Sequence, residues 1–214
     1  MASIVNSLLV VVLGLNLFAL GSSRLNAVIR IVALQGALLG FLPLLIHQPI
    51  GLAAVVAAVA AIVLKGIVIP IMLTSALQRA QIKREVEPLI GLLPSMILGA
   101  LVTGFAMMFA AYLPVAREHS DLLLVPASLA TVLVGFILLT TRFKAISQVI
   151  GYLVLENGIF IFGMLLVEAI PFVVEMGVLL DLFVGIFVIS IITNHINEAF
   201  SSMDTRKLAS LKEE

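Results

Sequence analysis

Residues 122–141, LLLVPASLATVLVGFILLTT, decide the fold class of this chain. The stretch carries no charge, and about 20 mostly apolar residues are what an α-helix needs to cross the hydrocarbon core of a bilayer. Six further apolar stretches flank it, roughly over residues 3–20, 26–46, 50–77, 89–113, 145–168 and 172–196. Backbone polar groups in lipid must be satisfied within each segment, so all seven are predicted to be helices. We therefore expect an all-α, polytopic membrane protein with a bundle of seven transmembrane helices.

The composition supports a lipid environment. Of the 214 residues, 62% are hydrophobic and 11% are charged, against roughly 25% charged in an ordinary soluble domain. The mean hydropathy is +1.27. A soluble enzyme or a secreted module has too little interior to bury this much apolar surface. The formal net charge of zero also argues against a nucleic-acid partner, because such proteins carry a basic surface.

Little in the sequence could hold a redox centre or perform catalysis. The chain has no cysteine, no tryptophan and three histidines, which excludes disulfides, thiolate-bound zinc and cysteine-ligated iron–sulfur clusters. We find no nucleophile elbow, no phosphate-binding loop and no metal-ligand spacing. We therefore expect no cofactor in this chain and no active site of its own.

The basic residues predict the orientation. Nine of the twelve lysines and arginines lie in loops after odd-numbered helices or in the C-terminal tail, and these are Arg24, Arg79, Lys83, Arg84, Arg142, Lys144, Arg206, Lys207 and Lys212. Arg117 stands on the opposite side. Basic loops remain in the cytoplasm, so we expect the N-terminus outside and the C-terminus inside. Residues 1–196 would form one transmembrane domain, and residues 197–214 a cytoplasmic tail.

Three ionisable residues lie well inside the predicted helices: Lys65, Glu156 and Asp181. Each costs about 2.5–3.5 kcal/mol at a helix centre on insertion scales. One interpretation is a buried ion cluster that only locks helices together. The other is a proton relay: two acids and one base cannot neutralise one another pairwise, and the remaining carboxylate would exchange protons.

Further polar residues are candidates for a path to these three. Gln148 and Tyr152 precede Glu156 by eight and four residues, which places all three on one helix face; ordinary interhelical hydrogen bonding explains the same spacing. Asn157 could bond to a neighbouring helix. The remaining candidates lie near helix ends, where an interfacial or capping role is the alternative, and they are Glu168, Glu175 and His195.

The last third of the chain resembles a known family. Residues 147–166, SQVIGYLVLENGIFIFGMLL, residues 175–196, EMGVLLDLFVGIFVISIITNHI, and the tail DTRKLASLKE resemble the hydrogenase-4 component E family, whose members are membrane subunits of group 4 nickel–iron hydrogenase and formate hydrogenlyase complexes. From about residue 145 the chain is also similar to the K-type subunit of respiratory complex I and the C subunit of Mrp-type antiporters.

The resemblance implies a role and partners. The relatives place an intramembrane acid on each of two successive helices; Glu156 matches the first, and Asp181, followed by Gly185, matches the second with a shorter side chain. It implies a subunit of the cell inner membrane that links a proton path between antiporter-like subunits. Nickel–iron and iron–sulfur centres would lie in partner chains, including a hydrogenase-type peripheral arm. A purely structural membrane adaptor and an independent small ion transporter remain the alternatives.

Overall fold

The computed structural model describes residues 2–46, 52–79, 88–113 and 122–165. These residues are helical apart from short turns, and they contain no β-strand beyond an isolated bridge between Pro88 and Arg142. In chain order the helical elements are α1 (Ala2–Gly21), α2 (Leu25–Gly40), α3 (Leu42–Ile46), α4 (Leu52–Val63), a π-helical turn (Leu64–Val68), α5 (Ile69–Arg79), α6 (Leu92–Ala110), α7 (Leu124–Thr141) and α8 (Ala145–Gly163).

Six segments of the described chain are long and apolar enough to cross a membrane. They are Ala2–Gly21, Leu25–Ile46, Ala58–Gln78, Leu92–Ala110, Leu124–Thr141 and Ile146–Gly163. The helical fold class is thereby confirmed for the described residues, and these six segments coincide with the first six predicted stretches. The seventh predicted stretch and the predicted tail lie outside the described residues.

The third span is an α-helix interrupted by the π-helical turn. Pro70 has no N–H, so it cannot donate to the carbonyl of Gly66 as a residue in an α-helix would. Just before it, the N–H of Ile69 bonds to the carbonyl of Leu64, five residues back. The wider turn changes the direction in which the following side chains point, and such turns are frequent at functional sites.

Helices α7 and α8 approach one another backbone to backbone because glycines line their contact. A Cβ added to Gly135 would lie 2.5 Å from the backbone nitrogen of Leu155. A Cβ on Gly151 or on Gly158 would lie 2.7 Å and 2.6 Å from the nitrogens of Leu139 and Val132. Small residues permit this close approach between membrane helices, so α7 and α8 pack with their backbones in direct contact.

Two apolar clusters fill the bundle. The first cluster lies toward the end where α1 terminates and α2 begins, and it includes Leu20, Ile29, Leu73, Leu138 and Ile150. The second lies toward the opposite end and includes Leu9, Leu39, Leu42, Leu124 and Ile161. Arg24, Arg142 and Lys144 belong to the first end, which we call the basic face.

Candidate functional site

Between the two apolar clusters lies a layer of buried polar side chains. The polar layer consists of Asn16, Gln35, Lys65, Thr131, Glu156 and Asn157, each at most 8% exposed. Every helix that contributes to it carries apolar residues of the first cluster on one side of its polar residue. On α1, α2, α7 and α8 the second cluster lies on the other side. The polar layer is therefore central along the bundle axis.

The distance of Glu156 from the start of α8 also places the polar layer near the middle of the bundle. Glu156 follows Ala145, the first residue of α8, by eleven residues, which is roughly 16 Å of helix. The hydrocarbon core is about 30 Å thick, so the carboxyl group lies near the middle of a membrane that this helix crosses.

Lys65 and Glu156 form an ion pair at the centre of the polar layer. The distance from Lys65 Nζ to Glu156 Oε1 is 2.7 Å. The same ammonium lies 3.3 Å from Asn157 Oδ1 and 5.3 Å from the centre of the Phe160 ring, a distance at which a cation is attracted to an aromatic face. The sequence predicts Lys65 and Glu156 as buried charges, and the structure brings these two together.

The local backbone explains how Lys65 reaches Glu156. Lys65 is the second residue of the π-helical turn. It packs against α2 at Gly36, where an added Cβ would lie 2.6 Å from the Cβ of Lys65. A larger residue at position 36 would push the lysine stem out of this contact. The position of the ammonium thus depends on the widened turn and on a glycine of the facing helix.

A chain of hydrogen bonds leaves the ion pair through Asn157. The Asn157 Nδ2 donates to Gln35 Oε1 at 3.2 Å, and the Gln35 Nε2 donates to Asn16 Oδ1 at 2.8 Å. The Asn16 Nδ2 donates to Thr131 Oγ1 at 2.8 Å. The Thr131 hydroxyl donates to the carbonyl of Ala127 at 2.7 Å. We call Asn157, Gln35, Asn16 and Thr131 the amide chain; it connects four helices.

Two sequence-predicted path residues lie elsewhere on α8. Gln148 is exposed, and its Nε2 donates to the carbonyl of Arg142 at 3.2 Å, at the basic face. Tyr152 is partly buried against the first apolar cluster. The described bonds of the polar layer instead run across the bundle from Asn157. Asp181, Glu168, Glu175 and His195 lie outside the described residues.

Sequence reasoning did not single out Asn16, Gln35 or Thr131. Each stands in the interior of an apolar helix, and an uncharged polar side chain there signals a partner on another helix. The hydroxyl of a threonine in a membrane helix usually bonds its own backbone. Thr131 does this and also accepts from Asn16, which the sequence does not indicate.

Two small cavities lie on the basic-face side of the polar layer. One, lined by Lys65 and Asn157 with apolar residues of α2 and α5, has about 10 Å³ of room for the centre of a water molecule. The other, of similar size, is lined by Arg142 and Ser147. Such volumes suffice for about one water each.

Arg142 ties the hairpin to α1 at the basic face. Its Nη2 donates to the carbonyl of Leu20 at 2.9 Å, in the last turn of α1, where carbonyls lack helical partners and a cation is favoured. Arg142 is almost completely buried, and burial lowers the pKa of its guanidinium below the usual value. An arginine stays protonated at neutral pH even so.

Comparison with known proteins identifies a family. The chain is 34% identical over 193 residues to the uncharacterized protein Rv0085 of Mycobacterium tuberculosis, and the matched region covers 88% of this chain and 87% of the relative. The chain belongs to the family of this mycobacterial protein. No family model matches the chain, and no solved structure matches it.

Proposed function

We propose that this chain is a membrane subunit of a hydrogenase-like, complex I-related assembly, in which it links the intramembrane proton path through mid-membrane carboxylates and seats antiporter-like subunits. The observation that carries the proposal is the 2.7 Å ion pair between Lys65 and Glu156. An ionisable pair in the membrane interior is costly and marks ion pathways by default. The resemblance of residues 147–166 and 175–196 to hydrogenase-4 component E supplies the class of assembly.

The pair is suited to proton exchange because a single proton shift neutralises it. With the proton on Lys65, the pair is an ammonium beside a carboxylate; with the proton on Glu156, it is an amine beside a carboxylic acid. Desolvation disfavours the charged forms and contact between opposite charges favours them, and at 2.7 Å the two groups are close enough to pass a proton directly. A group that gains and loses a proton at little cost is what a relay needs.

The remaining parts of the proposal come from the sequence. Asp181 is the second relay residue on the next helix, and it would take the proton that the neutralised pair releases. Lys65 tunes the proton affinity of both acids. The chain has seven spans in the cell inner membrane, with the N-terminus outside and the basic face in the cytoplasm. A water in the cavity beside Lys65 and Asn157 extends access toward that face. Antiporter-like subunits flank the chain, and partner chains hold the nickel–iron and iron–sulfur centres.

The first experiment identifies the assembly. The full-length chain is purified in mild detergent with the proteins that accompany it, and nickel and iron are quantified. We expect companion chains with these metals. A chain that is stable alone and moves protons in vesicles by itself would contradict the subunit proposal and support the independent transporter.

The second experiment tests the relay. Proton translocation is measured in membrane vesicles carrying Glu156→Gln, Asp181→Asn or the double substitution Lys65→Met with Glu156→Gln. We expect translocation to be slower by roughly 100-fold or more in each, because a positioned acid–base group typically contributes about 10²–10⁴-fold to the rate of a proton transfer. Co-purification of the partner chains should be retained, most clearly in the double variant, which removes both members of the Lys65–Glu156 pair together. Thr140→Val, which removes an exposed hydroxyl of α7, is the control. Intact assembly with undiminished translocation would establish the structural adaptor instead.

A further inference from the structure

The amide chain has one direction from end to end. Starting at Lys65, each group donates to the next: Lys65 to Asn157, Asn157 to Gln35, Gln35 to Asn16, Asn16 to Thr131. The hydroxyl of Thr131 completes the series at the backbone carbonyl of Ala127. Every carboxamide thus turns its oxygen toward Lys65 and its nitrogen away.

The chemistry of the Lys65 end fixes this direction, and the Thr131 end is compatible with it. An ammonium only donates, so Asn157 must face Lys65 with its oxygen. At the far end, the Thr131 hydroxyl can either donate or accept, and it accommodates this direction by donating to the carbonyl of Ala127 and accepting from Asn16. Reversing any carboxamide between these ends would place two donors or two acceptors against one another. The orientation therefore does not depend on distinguishing amide oxygen from nitrogen.

A chain of aligned hydrogen bonds stabilises a charge of the matching sign at its end, which here is the ammonium of Lys65. Each bond polarises the next, and the strengthening is perhaps 10–30% per bond. The oxygen ends of three carboxamide dipoles point toward Lys65, and their bonds are buried away from water. The aligned dipoles stabilise a positive charge on Lys65 and do nothing comparable for a neutral amine.

We propose that the amide chain positions the proton of the central pair on Lys65, and that it does so through hydrogen-bond polarity extending to Thr131. Asn157, Gln35, Asn16 and Thr131 are positioning residues. They do not carry the proton, because a carboxamide nitrogen is neither an acid nor a base near neutral pH. The amide chain therefore favours the protonated form of Lys65, and it provides no route by which a proton could move toward α1 and α7. This inference rests on the proposed relay at Lys65 and Glu156.

Groups around Lys65 must be considered in any test of its charge. Helix α8 presents Glu156, Asn157 and Phe160. Helix α2 presents Gly36 beside the lysine stem, and its Arg30 is exposed near the basic face. Among the described residues, the charged group within bonding distance of Lys65 is Glu156. A substitution at Thr131 leaves all of these groups unchanged.

Thr131 offers a matched pair of substitutions. Valine has nearly the shape of threonine but no hydroxyl, whereas serine keeps the hydroxyl and loses a methyl group. A packing role would be preserved by Thr131→Val and weakened by Thr131→Ser. A role through hydrogen-bond polarity would be preserved by Thr131→Ser and lost in Thr131→Val, because serine, unlike valine, can accept from Asn16 and donate to Ala127.

The measurement is the nitrogen-15 NMR signal of Lys65 Nζ, which separates ammonium from amine. The full-length protein, with the chains that accompany it, is labelled at lysine nitrogen and returned to lipid bilayers; the Lys65 signal is assigned by its loss in Lys65→Met. We expect Thr131→Val to move this signal toward the amine value and Thr131→Ser to leave it at the wild-type position. Gln35→Met, which breaks the amide chain nearer to Lys65, should move it further, and it serves as the second variant if Thr131→Val does not fold.

The outcomes are distinct. An unchanged Lys65 signal in folded Thr131→Val or Gln35→Met would overturn the inference and leave the amide chain as a helix clamp. A larger change with Thr131→Ser than with Thr131→Val would assign the effect to packing and also overturn it. The NMR measurement does not depend on proton translocation. A negative result in the vesicle assay would therefore contradict the relay without deciding this inference, and a negative NMR result would contradict this inference without deciding the relay.

Discussion

Helices α8 and α6 are both long and apolar enough to span a membrane, yet the bundle uses them differently. In the Ile146–Gly163 window of α8, 72% of the residues are buried, whereas in Leu92–Ala110 of α6 the share is 17%. Yet α8 is the less apolar of the two and contains Glu156 and Asn157. In water the most apolar helix would be expected at the core. In lipid the order reverses, because polar groups must find protein partners and apolar ones need none.

Glycines complete the contrast. On α8, Gly151 and Gly158 touch the backbone of α7, so neither position has room for a side chain. On α6, a Cβ on Gly104 would meet nothing within 4 Å. The core of this bundle is thus made of polar partners and close backbone contact, while α6 presents apolar side chains such as Leu101 and Met108 outward.

The largest expected effect comes from removing one partner of the central ion pair. Lys65→Met leaves the buried Glu156 carboxylate without the cation that contacts it at 2.7 Å. Breaking a buried pair in this way costs about 3–5 kcal/mol. We expect a loss of this size in the unfolding free energy of the purified protein, measured by denaturation in detergent micelles.

The double substitution Lys65→Met with Glu156→Leu is the control for this prediction. It removes both charges, and replacing a buried pair by apolar residues of similar volume is often neutral or stabilising. Recovery of most of the stability is expected. A double variant as unstable as Lys65→Met would show that packing of the lysine stem, not the unpaired carboxylate, dominates the cost.

A smaller effect is expected from adding one methyl group to the α7–α8 contact. Gly135→Ala places a Cβ about 2.5 Å from the backbone nitrogen of Leu155, and backbone cannot move aside as a flexible side chain can. Overpacking of this kind costs about 1–3 kcal/mol. The midpoint of thermal unfolding should therefore fall in this variant.

Gly104→Ala makes the same chemical change where space is open. Alanine is favoured over glycine in a helix interior by up to about 1 kcal/mol, so an unchanged or slightly raised midpoint is expected. Equal destabilisation by the two alanines would refute the assignment of the α7–α8 glycines to close helix approach.

The sequence was sufficient for the spans but not for the polar layer as a whole. The six described spans follow from uninterrupted apolar stretches, and Lys65 and Glu156 stand out because charge is rare in such stretches. Their pairing depends on helix rotation, which the widened turn before Pro70 changes locally and hydropathy does not record. Asn16, Gln35 and Thr131 are uncharged, and their significance comes from meeting one another and Asn157 at one level of four helices, which only the three-dimensional structure reveals. Likewise, the exposure of most of the apolar side chains of α6 is determined by which helices lie next to it, and the composition of α6 does not predict it.

The smallest effect is expected on the outward side of α6. Leu101 is 66% exposed and Leu20 is completely buried, so Leu101→Ala and Leu20→Ala remove the same atoms from lipid-facing and packed positions. Leu20→Ala leaves a cavity and should cost about 2 kcal/mol or more. At position 101 lipid chains fill the space, so we expect a change within about 0.5 kcal/mol. If Leu101→Ala leaves the stability of the isolated chain unchanged but weakens co-purification of partner chains, this side of α6 contacts protein in the assembly, and its low burial reflects a missing neighbour instead of lipid.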